Sequence, residues 1–167
     1  MRFLKGFMAA VAATFLAVSG QAGEQAFGPV TKLPMPRYVS IKAAEANARR
    51  GPSTEHRIDW VFQRRHLPVQ ITAEYGHWRR IRDQDGASGW VHYALLSGAR
   101  FVTVTEDQAA LRRGPADSAE VLARAELGVV ARLGKCVPAW CEVKAGGYRG
   151  WIAKGEIWGV GAGEIRD

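Results

Sequence analysis

The chain has 167 residues, with 23 Lys and Arg against 16 Asp and Glu, a formal net charge of +7, four histidines and two cysteines. One cysteine pair without a second Cys or His pair at ligand spacing leaves tetrahedral zinc coordination incomplete, which argues against a zinc site. The excess of positive charge suits a polyanionic partner, whose nature depends on the compartment.

Met1-Arg2-Phe3-Leu4-Lys5 is cationic and leads into an apolar run from Phe7 to Val18. This pattern predicts a secretory leader, with the small residues of Gly20-Gln21-Ala22 placing cleavage after Ala22. The run falls short of the roughly 20 residues that span a bilayer, which argues against an anchor. Loss of Arg2 and Lys5 leaves a net charge of +5, and no membrane span is expected in the mature chain. The expected location is periplasmic or secreted. Nucleic acid is then not an expected partner, and the polyanions at hand are cell-wall glycans, lipid head groups and lipopolysaccharide.

Residues 23–37 contain Gly28-Pro29 and Leu33-Pro34-Met35-Pro36, and the alternating prolines predict an extended, polyproline-like arm. It serves either as a spacer or as a segment docked in an aromatic-lined groove of the following domain.

Beyond the arm one unit is written twice. Val39-Ser40-Ile41 returns as Val102-Thr103-Val104, and Ala48-Arg49-Arg50-Gly51-Pro52 as Leu111-Arg112-Arg113-Gly114-Pro115, both at an offset of 63. A strand from Trp78, a polar Gly-containing turn and Gly89-Trp90-Val91 return as a strand from Trp140, a turn at Ala145-Gly146-Gly147 and Gly150-Trp151-Ile152. The expected division is leader 1–22, arm 23–37, repeats 38–98 and 99–160, and tail 161–167. Within repeat one, Ile58-Asp59-Trp60-Val61-Phe62 and Leu67-Pro68-Val69-Gln70-Ile71 read as strands. Neither repeat contains a convincing amphipathic helix. Short strands with close turn signals predict an all-β fold of two small, highly bent barrels. Ser97-Gly98-Ala99-Arg100 is too short a connector for independent tumbling, so the repeats should form one rigid body. A monomer is expected.

Cys136 and Cys141 flank a turn at Val137-Pro138-Ala139 and should form a disulfide in an oxidising compartment.

The order Asn47-Ala48-Arg49-Arg50-Gly51-Pro52-Ser53, then Trp78-x-x-Ile81, then Gly86-Ala87-Ser88-Gly89-Trp90-Val91 resembles the bacterial SH3-like domain. Repeat two keeps Leu111-Arg112-Arg113-Gly114-Pro115, Trp140-x-x-Val143 and Gly147-Tyr148-Arg149-Gly150-Trp151-Ile152, with Ala110 in place of the Asn. The resemblance implies a five- to six-stranded barrel used as a targeting or binding module, often for peptidoglycan or peptides in the cell envelope.

No catalytic residue, metal ligand or cofactor is expected. His56, His66, His77 and His92 have no metal-binding spacing on a helix, no Ser occupies a Gly-x-Ser-x-Gly turn, and the cysteines lie in the other repeat. The candidate ligand surface comprises the aromatics Trp60, Phe62, Tyr75, Trp78, Trp90 and Tyr93 with Arg49 and Arg50. Its second-repeat counterparts are Trp140, Trp151, Arg112 and Arg113. Alternation puts Arg79 with Ile81 on one face and Trp78 with Arg80 on the other. Counting inward from Trp78 and Trp90 makes the two indoles cross-strand neighbours, with Trp140 and Trp151 repeating the pair. Each is either a structural pair or a stacking platform. The arginines either clamp carboxylates and phosphates or pair with acids such as Glu55 and Asp117. The expected partner is a wall glycan or peptide, or alternatively an envelope protein offering extended or proline-containing segments.

Overall fold

In the computed structural model of the protein, residues 25–167 are described; the expected leader and its cleavage point lie outside them. Strands β1 (Ala26–Phe27) and β2 (Pro34–Met35) pair antiparallel, so the arm is a small hairpin and not a polyproline-like segment. Pro34 is tolerated because a two-stranded ribbon leaves one side of each strand without a required partner.

Repeat one follows with β3 (Arg37–Ile41), β4 (Ala46–Arg49), β5 (Ile58–Phe62), β6 (Pro68–Tyr75), β7 (Trp78–Arg82), β8 (Ser88–His92) and β9 (Leu96–Ser97). Repeat two contains β10 (Phe101–Val104), β11 (Ala109–Arg112), β12 (Val121–Ala125), β13 (Val130–Cys136), β14 (Trp140–Ala145), β15 (Tyr148–Ala153) and β16 (Ile157–Trp158). The sheet orders are β5-β4-β8-β7-β6-β3-β9 and β12-β11-β15-β14-β13-β10-β16, which agree position for position. The duplication read from motifs is therefore a duplication of topology, and the protein is all-β as expected. Each sheet has seven strands where five to six were expected. A short 3₁₀ turn, Tyr93–Leu95 or Lys154–Glu156, delivers a two-residue strand back onto the first strand of its repeat.

Each sheet encloses its own core. Ile41, Val69, Ile81 and Val91 are fully buried in repeat one, and Val102, Val104, Val143 and Ile152 in repeat two. The first core also reaches Phe62 of β5 and Leu96 of β9, the two ends of the strand order, so the sheet must curl to bring them together. The repeated Gly-Trp pair has a steric origin at this curl. A Cβ on Gly89 would lie 2.9 Å from the Ala48 Cβ, and one on Gly150 would lie 3.0 Å from the Arg112 carbonyl oxygen. Only glycine lets β8 and β15 cross so closely over β4 and β11.

Arg79 faces inward beside Ile81, and a buried cation requires an acid. That acid is Glu74, directly opposite on β6, with Arg79 Nε 3.6 Å from its carboxylate. Glu74 also fastens the arm. Its Oε2 accepts the Val30 and Thr31 N–H groups at 3.0 and 2.8 Å, while its Oε1 accepts Thr31 Oγ1–H and Arg37 Nη2–H, each at 2.7 Å. Gly28 permits the approach, since a Cβ there would collide with the Glu74 carboxylate. Burial alone would raise the pKa of Glu74, but the hydrogen bonds from Thr31, Arg37 and Val30 outweigh it and hold the group at about 2. The arm is thus docked through a carboxylate and not in an aromatic groove.

Repeat two places Cys136 directly opposite Cys141, each 62 residues beyond Glu74 and Arg79, and joins them by a disulfide. The seam again holds a terminal segment, because Cys136 exchanges both backbone hydrogen bonds with Arg166. Glu164 anchors the same tail. Its burial opposes ionisation, yet Arg100 donates to its carboxylate at 2.8 and 3.1 Å and holds its pKa below the usual range.

The repeats meet through specific contacts. The His66 ring stacks on Phe101 with centroids 4.4 Å apart, Tyr38 packs edge-on against Trp158 at 5.2 Å, and Ser40 Oγ–H donates to the Ala99 carbonyl at 2.8 Å. Arg64 donates to the Gly128 carbonyl at 3.0 Å. With so short a connector, these contacts predict equal NMR rotational correlation times for the two repeats. Markedly different values would refute a rigid pair.

Candidate functional site

A cleft of about 280 Å³ lies where the repeats meet. Trp60, Phe62, Leu67 and Pro68 form its apolar side, and Arg64, Asp83, Asp85 and Thr103 its polar rim. The strand register explains the wall. Trp60 is directly opposite Ala48 and Phe62 opposite Ala46, so both rings lie on the core side of β5, with centroids 6.4 Å apart. Because β5 is an edge strand, this side overhangs the core at Trp60, leaving it 53% exposed, whereas Phe62 further along is 7% exposed. Phe62 is therefore a core residue that backs the cleft, and Trp60 is the ring available to a guest. At the position of Trp60, repeat two has Ala123 opposite Leu111, so the indole has no counterpart there.

The other aromatic candidates form a separate group. Trp78 packs edge-on against His92 at 5.5 Å, and His77, His92 and Tyr93 lie within 5.9 Å of one another. Tyr75 and Tyr93 are 65% and 49% exposed, and Arg79 lies 5.9 Å from the centre of the Tyr93 ring. Trp78 is half-buried outside the core, on the face opposite Arg79 and Ile81. The cross-strand tryptophan pair does not form as expected. Trp78 stands opposite His92, and Trp90 stands opposite Arg80, making the indoles diagonal neighbours. Trp140 opposite Ala153 and Trp151 opposite Glu142 show the same offset. The hairpin register, set by its turn, differs from the midpoint between the tryptophans.

The four turn arginines are engaged locally, in the same way in both repeats. Arg49 donates to the Thr54 and His56 carbonyls at 2.8 and 2.7 Å, and Arg112 to the Ala119 carbonyl at 3.0 Å, so each closes its own turn. Arg50 pairs with Asp59, and Arg113 with Glu120. These acids replace the expected Glu55 and Asp117 because the turn folds the second arginine back onto the edge strand. Hydrogen bonds from Arg57 and Arg50 hold Asp59 below the usual carboxylate range, as one from Arg113 does for Glu120. His66 is a junction residue through its stacking on Phe101. A positive φ of 67° turns it out of the loop, and nothing local in the sequence announces its partner Phe101.

Two tandem, highly bent sheets with matching topology define a duplicated small all-β fold. The sequence model described as Bacterial SH3 domain matches residues 42–98 and 105–159, and the chain belongs to that family, carrying its domain twice. Among solved structures, NlpC2 from Trichomonas vaginalis is 12% identical with a TM-score of 0.35, covering 74% of this chain and 48% of that one. NlpC1 from Trichomonas vaginalis is also 12% identical with a TM-score of 0.35, covering 86% and 50%. The chain thus spans about half the length of these structures. No curated protein matches it.

Proposed function

We propose that the protein is a non-enzymatic binding module of the cell envelope, periplasmic or secreted, which holds a segment of peptidoglycan in the cleft beside Trp60. Bacterial SH3 domains are often cell-wall binding modules. The observation that carries the reading is the half-exposed Trp60 indole, standing over an apolar cleft with hydrogen-bonding groups on its rim. A sugar ring or short peptide is recognised by such an arrangement, with stacking supplying area and the rim supplying orientation. Both cysteines are held in the disulfide, which withdraws them from nucleophilic chemistry. The leader expected from the sequence of residues 1–22 supports the proposed location. A second reading is favoured by β5 itself, whose outer edge carries no partner strand among the described residues and exposes Ile58 and Val61. An extended peptide of an envelope protein could add there as a further strand.

Co-sedimentation of the protein with purified peptidoglycan tests the first reading. Trp60→Ala is expected to weaken binding by about 1 to 3 kcal/mol while leaving the melting temperature nearly unchanged. Trp140→Ala, in a half-buried strand of the other repeat, should chiefly lower thermal stability. Pelleting that disappears at moderate salt in wild type and variant alike would reduce the interaction to charge attraction and remove the cleft from it. Trp78→Ala reports on the separate aromatic group, and a loss of binding confined to it would relocate the site there.

A further inference from the structure

We infer that a second site, on the outer face of repeat two, binds a phosphate group. Arg132 of β13 stands directly opposite Lys144 of β14, and Lys144 directly opposite Arg149 of β15. Three cations therefore form one row across three neighbouring strands. Facing side chains in such a row start about 5 Å apart, and like charges at that spacing destabilise a sheet. All three are exposed and line a cleft of about 360 Å³ that Gly134 and Glu142 also border.

One acid enters the cleft. Glu142 takes Arg149 in a two-bond pair, with both contacts at 2.7 Å. Among the described residues, Arg132 and Lys144 form no ion pair. The corresponding row of repeat one reads Gln70, Arg82, Ser88 in the same register, and Arg82 donates to the Gln70 side-chain oxygen at 2.7 Å. Repeat one thus has one satisfied cation where repeat two has three cations and a single acid. A carboxylate has two oxygens in one plane and is matched by one guanidinium. The tetrahedral oxygens of a phosphate reach two cations at once, accepting paired N–H groups from Arg132 and an ammonium proton from Lys144. The site lies on a different repeat from the Trp60 cleft and stands independently of the peptidoglycan reading.

The test is a titration of the whole protein with inorganic phosphate, followed by backbone amide shifts. Saturable shifts confined to residues 132–134 and 142–149 are expected, fading as chloride approaches about 1 M. Lys144→Gln and Arg132→Gln should each weaken phosphate binding by about tenfold or more. Both variants should melt no lower than wild type, because each relieves a like-charge contact. Arg82→Gln in repeat one should leave the affinity within about twofold, as its row contains no second cation. Shifts that do not saturate and spread over exposed arginines of both repeats would overturn the proposal, as would unchanged affinity in both repeat-two variants. Flotation with phosphatidylglycerol vesicles separates the sources. Retention that depends on Lys144 assigns the phosphate to a lipid head group, and phosphate binding without retention assigns it to a soluble or polymeric carrier.

Discussion

Glu74→Gln is expected to destabilise repeat one by about 3 kcal/mol near neutral pH and to release the hairpin arm. The magnitude follows from the carboxyl's fall from an ordinary 4.5 to about 2 in the folded protein. Since the folded pKa is depressed, the stabilisation is fully present above about pH 4.5. It declines as pH falls and is lost once the carboxyl is protonated at about pH 2. Glutamine keeps the shape but removes the charge that Arg37 and Arg79 require, leaving two cations in a buried setting. Urea unfolding of wild type and variant at pH 7 and pH 3 measures the effect. The wild type should lose stability between those values, and the variant should lose correspondingly less. Hydrogen exchange at the Val30 and Thr31 amides, both bonded to Glu74, should accelerate in the variant. Equal pH slopes for the two proteins would show that the carboxylate does not hold the arm. Glu120→Gln is the surface control: its ion pair with Arg113 is exposed and screened by solvent, and the change should leave stability nearly unchanged.

Reduction of Cys136–Cys141 is expected to cost repeat two about 2 kcal/mol, the value chain entropy assigns to so short a loop. The effect should be local. Cys136 also carries the backbone bridge to Arg166, so the C-terminal tail should loosen with it, while repeat one melts unchanged. Intact mass should rise by two hydrogens on reduction, and thiol labelling should require reductant. Full labelling of both cysteines in the untreated protein would remove the claim. One topological position is bridged by the Glu74–Arg79 ion pair in repeat one and covalently in repeat two.

The two repeats, their strands and their all-β character were legible because they rest on local signals. Period-two alternation correctly turned Arg79 toward the core and Trp78 away from it. Motif order written twice identified the duplication without any knowledge of contacts. A core-facing Arg79 demands a buried acid, and Glu74 lies a hairpin turn away, so this pair too rests on a local signal.

By itself the sequence determined the all-β class, the duplication and which face of a strand such as β7 is apolar, since these rest on short local patterns and their order. Tertiary structure alone decided three other matters. The arm became a hairpin clamped by Glu74, although its prolines favour an extended chain, because two N–H groups found a buried carboxylate 43 and 44 residues further along. The tryptophans became diagonal neighbours because the turn sets the strand register. Trp60 was left open beside its core-bound neighbour Phe62 because β5 is an edge strand whose inner side overhangs the core. Each of these depends on which distant groups meet, a matter of long-range packing and hydrogen-bond satisfaction that local composition does not encode.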